Sequence, residues 1–518
     1  MPQILKELIV VLVIALAVFK LARPIILLFS TPEDFTRRRR VWFALTAVGF
    51  LSPNFWLFAL IAIPLLVWAG RKDSNPTALY LFLLHVIPPI TIRVPMIGIS
   101  FLLDVDFYLL LSFCVMAPAA LRLYRSKDEA RRRGLQAMDF FLLAYGLLTA
   151  FFFIYPEIAN GTLMSPTFTD GLRRIFVFFF ATVVPYFLIS RSSFDRRALL
   201  DILASYCLGC ALLAGVAMFE SARHWLLYAE IGDRWGAIVS FTPYLERGTS
   251  LRAMASTGHP LTLGYLLAIA FGFWLYLQSH VTSKRRRLAV TIFIWLGLLA
   301  AYSRGPWIGA VCIYFVFAAL RPQAVSKLFK ALGIAVVVAF LISLSPLRDK
   351  VVSVLPFLGG TVDSENVLYR HRLFDRAWEI IWESPFLGDQ SALLRMQDLR
   401  QGQGIIDLIN SYVEVLLGSG FVGLSLFLSF ILIAALKVWV SSKEVGKTDP
   451  DLGMLGASIV SCILGTLLMI ENGSFGTGSE RLFYVLAALS MAYVQMFRSV
   501  KRGDVRYAQI GGSARKAR

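Results

Sequence analysis

Charge is scarce in this chain. Only 16% of its 518 residues are Asp, Glu, Lys or Arg, whereas a soluble domain carries roughly 25%, so a folded chain of this length lacks the polar surface to stay in water. Cysteine is scarcer still: Cys114, Cys207, Cys210, Cys312 and Cys462 all lie within or beside apolar stretches. No disulfide framework follows. Cys207-Leu-Gly-Cys210 has the spacing of a redox pair but sits mid-span with no βαβ context, so it reads as packing thiols. Histidine is equally sparse, and no His pair or Cys/His cluster has metal-ligand spacing. Neither a metal nor a cofactor is expected.

What the chain does have is apolar length. Fully 57% of residues are apolar, mean hydropathy is +0.68, and runs of about 20 apolar residues recur. That pattern predicts an all-α, polytopic membrane bundle and excludes a soluble enzyme. The segment after Lys6 reads as a first membrane helix and not as a removed signal, because no small-residue cleavage pattern follows it. Spans are expected near 4–29, 41–69, 77–92, 105–121, 139–155, 172–190, 198–219, 260–279, 288–302, 305–320, 331–345, 409–438, 452–470 and 480–497. The stretch 41–69 is too long for one pass and is interrupted at Ser52-Pro53-Asn54, so it reads as a hairpin, which brings the total to about 12 to 15 spans.

Basic residues outnumber acidic ones, 51 to 33, for a net charge of +18. No nucleic-acid partner is expected, since the excess falls in short clusters between spans, as topology determinants do. The clusters at Arg37 to Arg40, Arg71-Lys72, Arg122 to Arg133, Arg191 to Arg197, Lys284 to Arg287, Arg321 to Lys330, Lys437 to Lys447 and Arg498 to Arg518 all fall on one, cytoplasmic, side. The opposite side receives 93–104, 156–171, 220–259, the turn at 303–304, 346–408 and 471–479.

Segment 346–408 carries seven basic and nine acidic residues, net −2, and is the one outward stretch large enough for a subdomain. Within it Leu373, Phe374, Ala377, Trp378, Ile381 and Trp382 recur at helical spacing, which predicts an amphipathic helix at the membrane interface. Ser384-Pro385 would end it. The chain thus divides into an N-terminal bundle (1–250), a segment with two arginine motifs (251–345), the outward loop (346–408), C-terminal helices (409–497) and a basic tail (498–518).

Arginine is costly near lipid, so Arg252, Arg304, Arg370 and Arg372, all outward, require an explanation. Converging on one cavity, four guanidiniums would suit a phosphate-bearing ligand; taken singly, each could snorkel to headgroups. Glu220, His224, Glu230 and Asp233 read as an outward polar surface for a glycan, and Trp225 and Trp235 as interfacial anchors or sugar platforms. His85 and His280 read as packing or solvated residues.

The run Tyr302-Ser303-Arg304-Gly305-Pro306 between two spans resembles the bacterial O-antigen ligase and polymerase superfamily. Leu251-Arg252-Ala253 with Thr257-Gly258-His259-Pro260 and Gly264 is similar to the family's pattern before a membrane helix. Arg370 and Pro385-Phe386-Leu387-Gly388 resemble its loop signature, and Asn410-Ser411-Tyr412 with Gly420-Phe421-Val422-Gly423-Leu424 its re-entry segment. Each motif is short; their order, spacing and common side make the set specific, and it covers about Arg252 to Leu424.

The resemblance implies a GT-C-like bundle in the bacterial inner membrane, multi-pass, with its active site facing the periplasm. It implies transfer, with inversion, of a saccharide from an undecaprenyl-pyrophosphate-linked donor to a hydroxyl of a glycan acceptor, with a chain-length regulator as a further partner. Arg252, Arg304 and Arg370 would then bind the pyrophosphate, with Arg372 auxiliary, and Ser303, Asn410 and Tyr412 would belong to the motif and acceptor region. Many ligases carry His before the re-entry Asn; this chain has Ile409, which cannot accept a proton. The base must therefore come from elsewhere, with Asp407, Glu414, His371 and His259 as candidates, and the reading shifts from ligase to polymerase.

A ligase acting on lipid A-core and a lipid-linked oligosaccharide flippase are the alternatives; a flippase predicts internal repeats, and no duplication of halves is evident. Asp104-Val105-Asp106 has the D-x-D spacing of metal-dependent glycosyltransferases, against which stands a pair of carboxylates at a helix start. Gly418-Ser419-Gly420-Phe421-Val422-Gly423 matches a dinucleotide fingerprint but lies in an apolar span, where close helix packing is expected.

Overall fold

A computed structural model describes residues 2–88, 90–96, 99–125, 136–159, 166–235, 246–247, 250–321, 364–400, 406, 408, 410–473 and 479–501. The protein is an all-α, polytopic membrane bundle. Among the described residues, seven helices are long and apolar enough to cross a membrane. The expected span at 331–345 and most of the basic tail lie outside those residues.

In chain order the elements are α1 (Gln3–Ile26), α2 (Pro32–Leu51), α3 (Phe55–Lys72), α4 (Pro76–Leu83), a hairpin of β1 (Ile92–Met96) and β2 (Ile99–Val105), and α5 (Phe107–Leu111, continuing through a π turn Ser112–Met116 into Ala117–Arg125). Next come α6 (Ala137–Ala159), α7 (Pro166–Phe178, continuing through a π turn Phe179–Val183 into Val184–Arg191), α8 (Arg196–Arg223), α9 (Ala229–Arg234), α10 (Pro260–Leu277), α11 (Lys284–Ala300) and α12 (Arg304–Ala319). Then follow α13 (Ser364–Glu383), α14 (Ser411–Val445), α15 (Pro450–Glu471) and α16 (Ser479–Lys501).

Helix starts follow local chemistry. Thr31 accepts the amide of Asp34 at 3.2 Å, Asn54 that of Leu57 at 3.0 Å and Asp195 that of Ala198 at 2.7 Å, each satisfying an orphan N–H of a first turn. The anticipated break of 41–69 is present, with α2 ending at Leu51 and α3 beginning at Phe55. The stretch 77–92 differs from expectation. Its helix has eight residues, and Thr77 to Val86 are buried on all sides before the chain turns into the hairpin. Such an all-round apolar segment packs inside protein and need not cross.

Helix α10 holds the centre, apolar and buried around its whole circumference, against α8, α11, α12 and α15. Outer helices expose Ile9, Val13, Leu60, Leu147, Phe176 and Leu436, the surface a bilayer would cover.

At the end carrying the basic clusters, Arg38 is 2% exposed and grips two helices at once. Its Nε and Nη2 donate to Asp73 at 2.9 and 2.7 Å, and its Nη1 and Nη2 to Asp201 at 2.7 and 2.9 Å. Arg191 is likewise buried against Asp139. Two members of the topology clusters are therefore internal staples. The tryptophans of 220–259 are held by hydrogen bonds: half-buried Trp225 Nε1 donates to Glu7 at 3.2 Å and buried Trp235 to the Ser52 carbonyl at 3.1 Å. Cys207 and Cys210 are free thiols pointing at carbonyls of α10.

Candidate functional site

At the other end, one carboxylate builds the loop that carries Arg252. Glu220, 1% exposed near the end of α8, accepts the backbone amides of Leu227 at 3.0 Å, Met254 at 3.0 Å and Ala255 at 2.8 Å. It was read from sequence as part of an outward surface; burial makes it the anchor of the 251–257 loop instead. Ala255 is held there at φ 49°, a left-handed conformation unusual for a residue with a Cβ and tolerated where surroundings over-determine it. Ala253 N–H donates to the Ala300 carbonyl at 3.0 Å, tying the loop to the end of α11.

Arg252 consequently faces the turn into α12, where its Nη2 donates to Ser303 Oγ at 2.9 Å. Ser303 hands its own proton to the Ala301 carbonyl at 3.2 Å, so it spaces Arg252 from Arg304, the next residue. Tyr302 before it has φ 45°, a second strained non-glycine residue at the same turn. Pro306 sits against α10, where a Cβ on Gly264 would lie 2.6 Å from its ring, and a Cβ on Gly305 would lie 3.3 Å from Asn472.

His259 caps α10, its Nδ1 accepting the Leu261 amide at 3.2 Å. Burial, and then the neighbouring Arg252 charge, push its pKa down to about 4. A neutral imidazole accepting at Nδ1 carries its proton on Nε2, so the outward edge of His259 is a donor.

The re-entry motif bolts α14 to the same place. Asn410 accepts the amides of Tyr412 at 2.9 Å and Val413 at 3.3 Å. Ser411 Oγ donates to the Gly473 carbonyl at 2.9 Å, and Tyr412 OH to Leu467 at 2.7 Å. Since Asn472 abuts Gly305, the end of α15 joins Asn410-Ser411-Tyr412 to Ser303-Arg304.

Beyond Tyr412 the helix breaks. Gly420 has φ 61° and ψ −165°, a region open essentially to glycine. The second half of α14 thus begins with orphan amides, and the loop motif supplies their partners: Phe421 N–H donates to Pro385 at 2.8 Å and Val422 N–H to Phe386 at 3.1 Å. In return Asp389 N–H donates to the Leu417 carbonyl at 2.7 Å. Gly388, at φ 73°, lies where a Cβ would be 2.5 Å from that carbonyl. Pro385-Phe386-Leu387-Gly388 and Gly418-Ser419-Gly420 are two halves of one main-chain junction, which replaces the helix-packing reading of the glycines.

The helix before that junction is two-faced. Leu373, Ala377, Ile380 and Ile381 of α13 are buried against Met396, Val413, Leu416 and Leu417. Phe374, Trp378 and Trp382 form a second, exposed row, with Phe374 stacked on Trp378 at 5.8 Å and Trp382 6.3 Å from Phe421. The apolar set read as one interfacial stripe divides into a packing face and an aromatic face. Arg370, His371 and Arg372 are exposed on α13, Glu414 is exposed one turn into α14, and Asp407 and Ile409 lie outside the described residues. The geometry therefore unites Arg252, Ser303, Arg304, His259 and the Asn410 motif, while α13 reaches them through the first half of α14.

Residues 289–428 match the family model described as O-antigen ligase. That match supports the resemblance to the O-antigen ligase/polymerase superfamily over this segment. The matched segment runs from α11 through the break in α14, so it contains Arg304, the loop helix and both halves of the junction, whereas Arg252, His259 and their anchor Glu220 precede it. No curated protein matches the chain.

The two D-x-D carboxylates face different partners. Asp106 caps α5 through Leu109 N–H at 2.7 Å and pairs with Arg481 at 3.2 Å; Asp104 faces Arg93 across the hairpin at 3.6 Å. Among the described residues no group of three His, Cys, Asp or Glu side chains could hold a metal ion. The anchoring role of Glu220 escaped the sequence reading because a single acid at a helix end shows no motif.

Proposed function

We propose that this chain is a member of the O-antigen ligase/polymerase superfamily that polymerises undecaprenyl-pyrophosphate-linked oligosaccharide repeats into exopolysaccharide or O-antigen at the periplasmic face of the inner membrane. The observation that supports the reading is the Arg252–Ser303 hydrogen bond, which brings the Arg252 guanidinium to the residue that precedes Arg304 in the turn into α12. In the transfer the acceptor hydroxyl loses its proton, its oxygen attacks the anomeric carbon, and the bond to the pyrophosphate oxygen breaks with inversion. Charge accumulates on the leaving group, and fixed arginines stabilise it where it develops.

Arg252 and Arg304 would hold the pyrophosphate, with Arg370 and Arg372 reaching it from α13. Glu414 is our choice of general base: it is exposed and stands one turn past Asn410. Ile409 in place of a proton-accepting residue favours polymerase over ligase.

The test is a reconstituted reaction in nanodiscs with lipid-linked repeats, its products sized on a gel. A ladder of longer lipid-linked chains is expected; transfer only to added lipid A-core would establish the ligase, and no bond formation would sink both, leaving a flippase. Arg252→Ala and Arg304→Ala should each lower the rate about 100-fold or more with the protein still in the membrane, and full activity of both would overturn the pyrophosphate assignment.

A further inference from the structure

A cavity of about 420 Å³ opens beside the β1–β2 hairpin, between α7 and the start of α16, and no step proposed above uses it. Its charged wall is balanced: Arg173, Arg174 and Arg481 face Asp104, Asp106 and Glu480, with Thr91 and Thr182 as hydroxyls and Phe178 and Tyr484 as rings. The volume falls in the range of small-molecule sites.

Two of its polar atoms are without hydrogen-bond partners among the described residues. Arg481 is 9% exposed; its Nη2 donates to Asp106 and its guanidinium lies 4.0 Å over the Tyr108 ring, but buried Nη1 donates to nothing. Asp104 Oδ1 is also buried without a donor, Arg93 Nε standing 3.6 Å away. A buried donor or acceptor left unmade is costly, so both atoms call for a ligand group. Arg173 is not available for this purpose, because it is held by the Leu102 carbonyl at 3.0 Å, by the Phe101 carbonyl and by Asp170.

The chemistry of the two open atoms selects the occupant. Arg481 Nη1 needs an acceptor and Asp104 Oδ1 needs a donor. A phosphate offers acceptors alone and would leave Asp104 Oδ1 without a donor. A sugar hydroxyl offers both, and the apolar face of a pyranose suits the rings. We propose that this cavity is a saccharide-binding site, separate from the arginine cluster, in which Arg481 and Asp104 hydrogen-bond sugar hydroxyls. Only the role of that sugar as the acceptor rests on the transferase reading; binding itself needs no donor and no bond formation.

The experiment is saturation-transfer NMR on the full chain in nanodiscs. The probe is the set of oligosaccharides released by partial acid hydrolysis of the producing cell's own surface polysaccharide. Transfer to sugar protons is expected, undiminished by inorganic pyrophosphate and retained in Arg252→Ala. Arg481→Lys keeps a positive charge opposite Asp106 but lacks the second arm, and should weaken binding at least tenfold. Val177→Trp fills the cavity from the half-buried wall without touching the ion pair, and should do the same; thermal unfolding confirms that both variants fold. Absence of transfer in the wild type, binding unchanged in both variants, or displacement of the sugar by pyrophosphate would each overturn the proposal.

Discussion

Replacing Gly420 by alanine tests whether the loop is held by its main chain. At φ 61° and ψ −165° a residue with a Cβ is strained by about 1–3 kcal/mol, and that Cβ would overlap the Phe386 carbonyl. The loop must therefore withdraw, which breaks the hydrogen bonds from Phe421, Val422 and Asp389, each worth about 1 kcal/mol net. The combined effect is about 4 kcal/mol or more, close to a 1,000-fold shift from docked to undocked. Hydrogen exchange reads this directly: the Phe421, Val422 and Asp389 amides should exchange about 1,000-fold faster, while amides near Ala434 in the same helix stay protected. Exchange at those three positions within tenfold of wild type would refute the reasoning. The measurement needs no substrate and stands apart from any view of the reaction.

Two further outcomes are expected. Arg38→Met leaves Asp73 and Asp201 as buried, uncompensated carboxylates, which should cost about 3–5 kcal/mol and lower the unfolding midpoint in detergent; an unchanged midpoint would show that the pairs contribute nothing. For His259, the folded pKa of about 4 lies below the ordinary 6.5, so the unfolded chain takes up the proton first as pH falls. Its contribution is complete above about pH 6.5 and lost as pH falls towards 4, on the order of 3 kcal/mol in all. Midpoints measured across that window should fall less steeply in His259→Asn, which keeps a capping acceptor, than in wild type; parallel curves would count against the assignment.

Much of this architecture was legible in the chain because lipid makes simple demands. Apolar runs located the helices, and Ser52-Pro53-Asn54 correctly divided the long one. The motifs around Arg252, Ser303 and Asn410 were recognisable, and the structure joins them. Hydropathy could not tell the buried eight-residue α4 from a crossing helix, since both are apolar all round. Nor could periodicity split the α13 stripe: Leu373 and Phe374 differ in what stands opposite them, which is set by the first half of α14. Gly420 was seen as a small residue, but its function is torsional and depends on a partner, Phe386, far back in the sequence. Arg38 looked like its neighbours because only the approach of α8 puts Asp201 within its reach.

The junction at Gly420 has a bearing on how such chains diversify. Its bonds run between carbonyls and amides, so two left-handed glycines are its main requirement and the side chains around them are unconstrained by it. The segment carrying α13 is in this sense an interchangeable cassette: a foreign segment that presents a Pro-x-x-Gly turn at the same point would plug into the broken helix, bringing a new surface to an unaltered membrane scaffold.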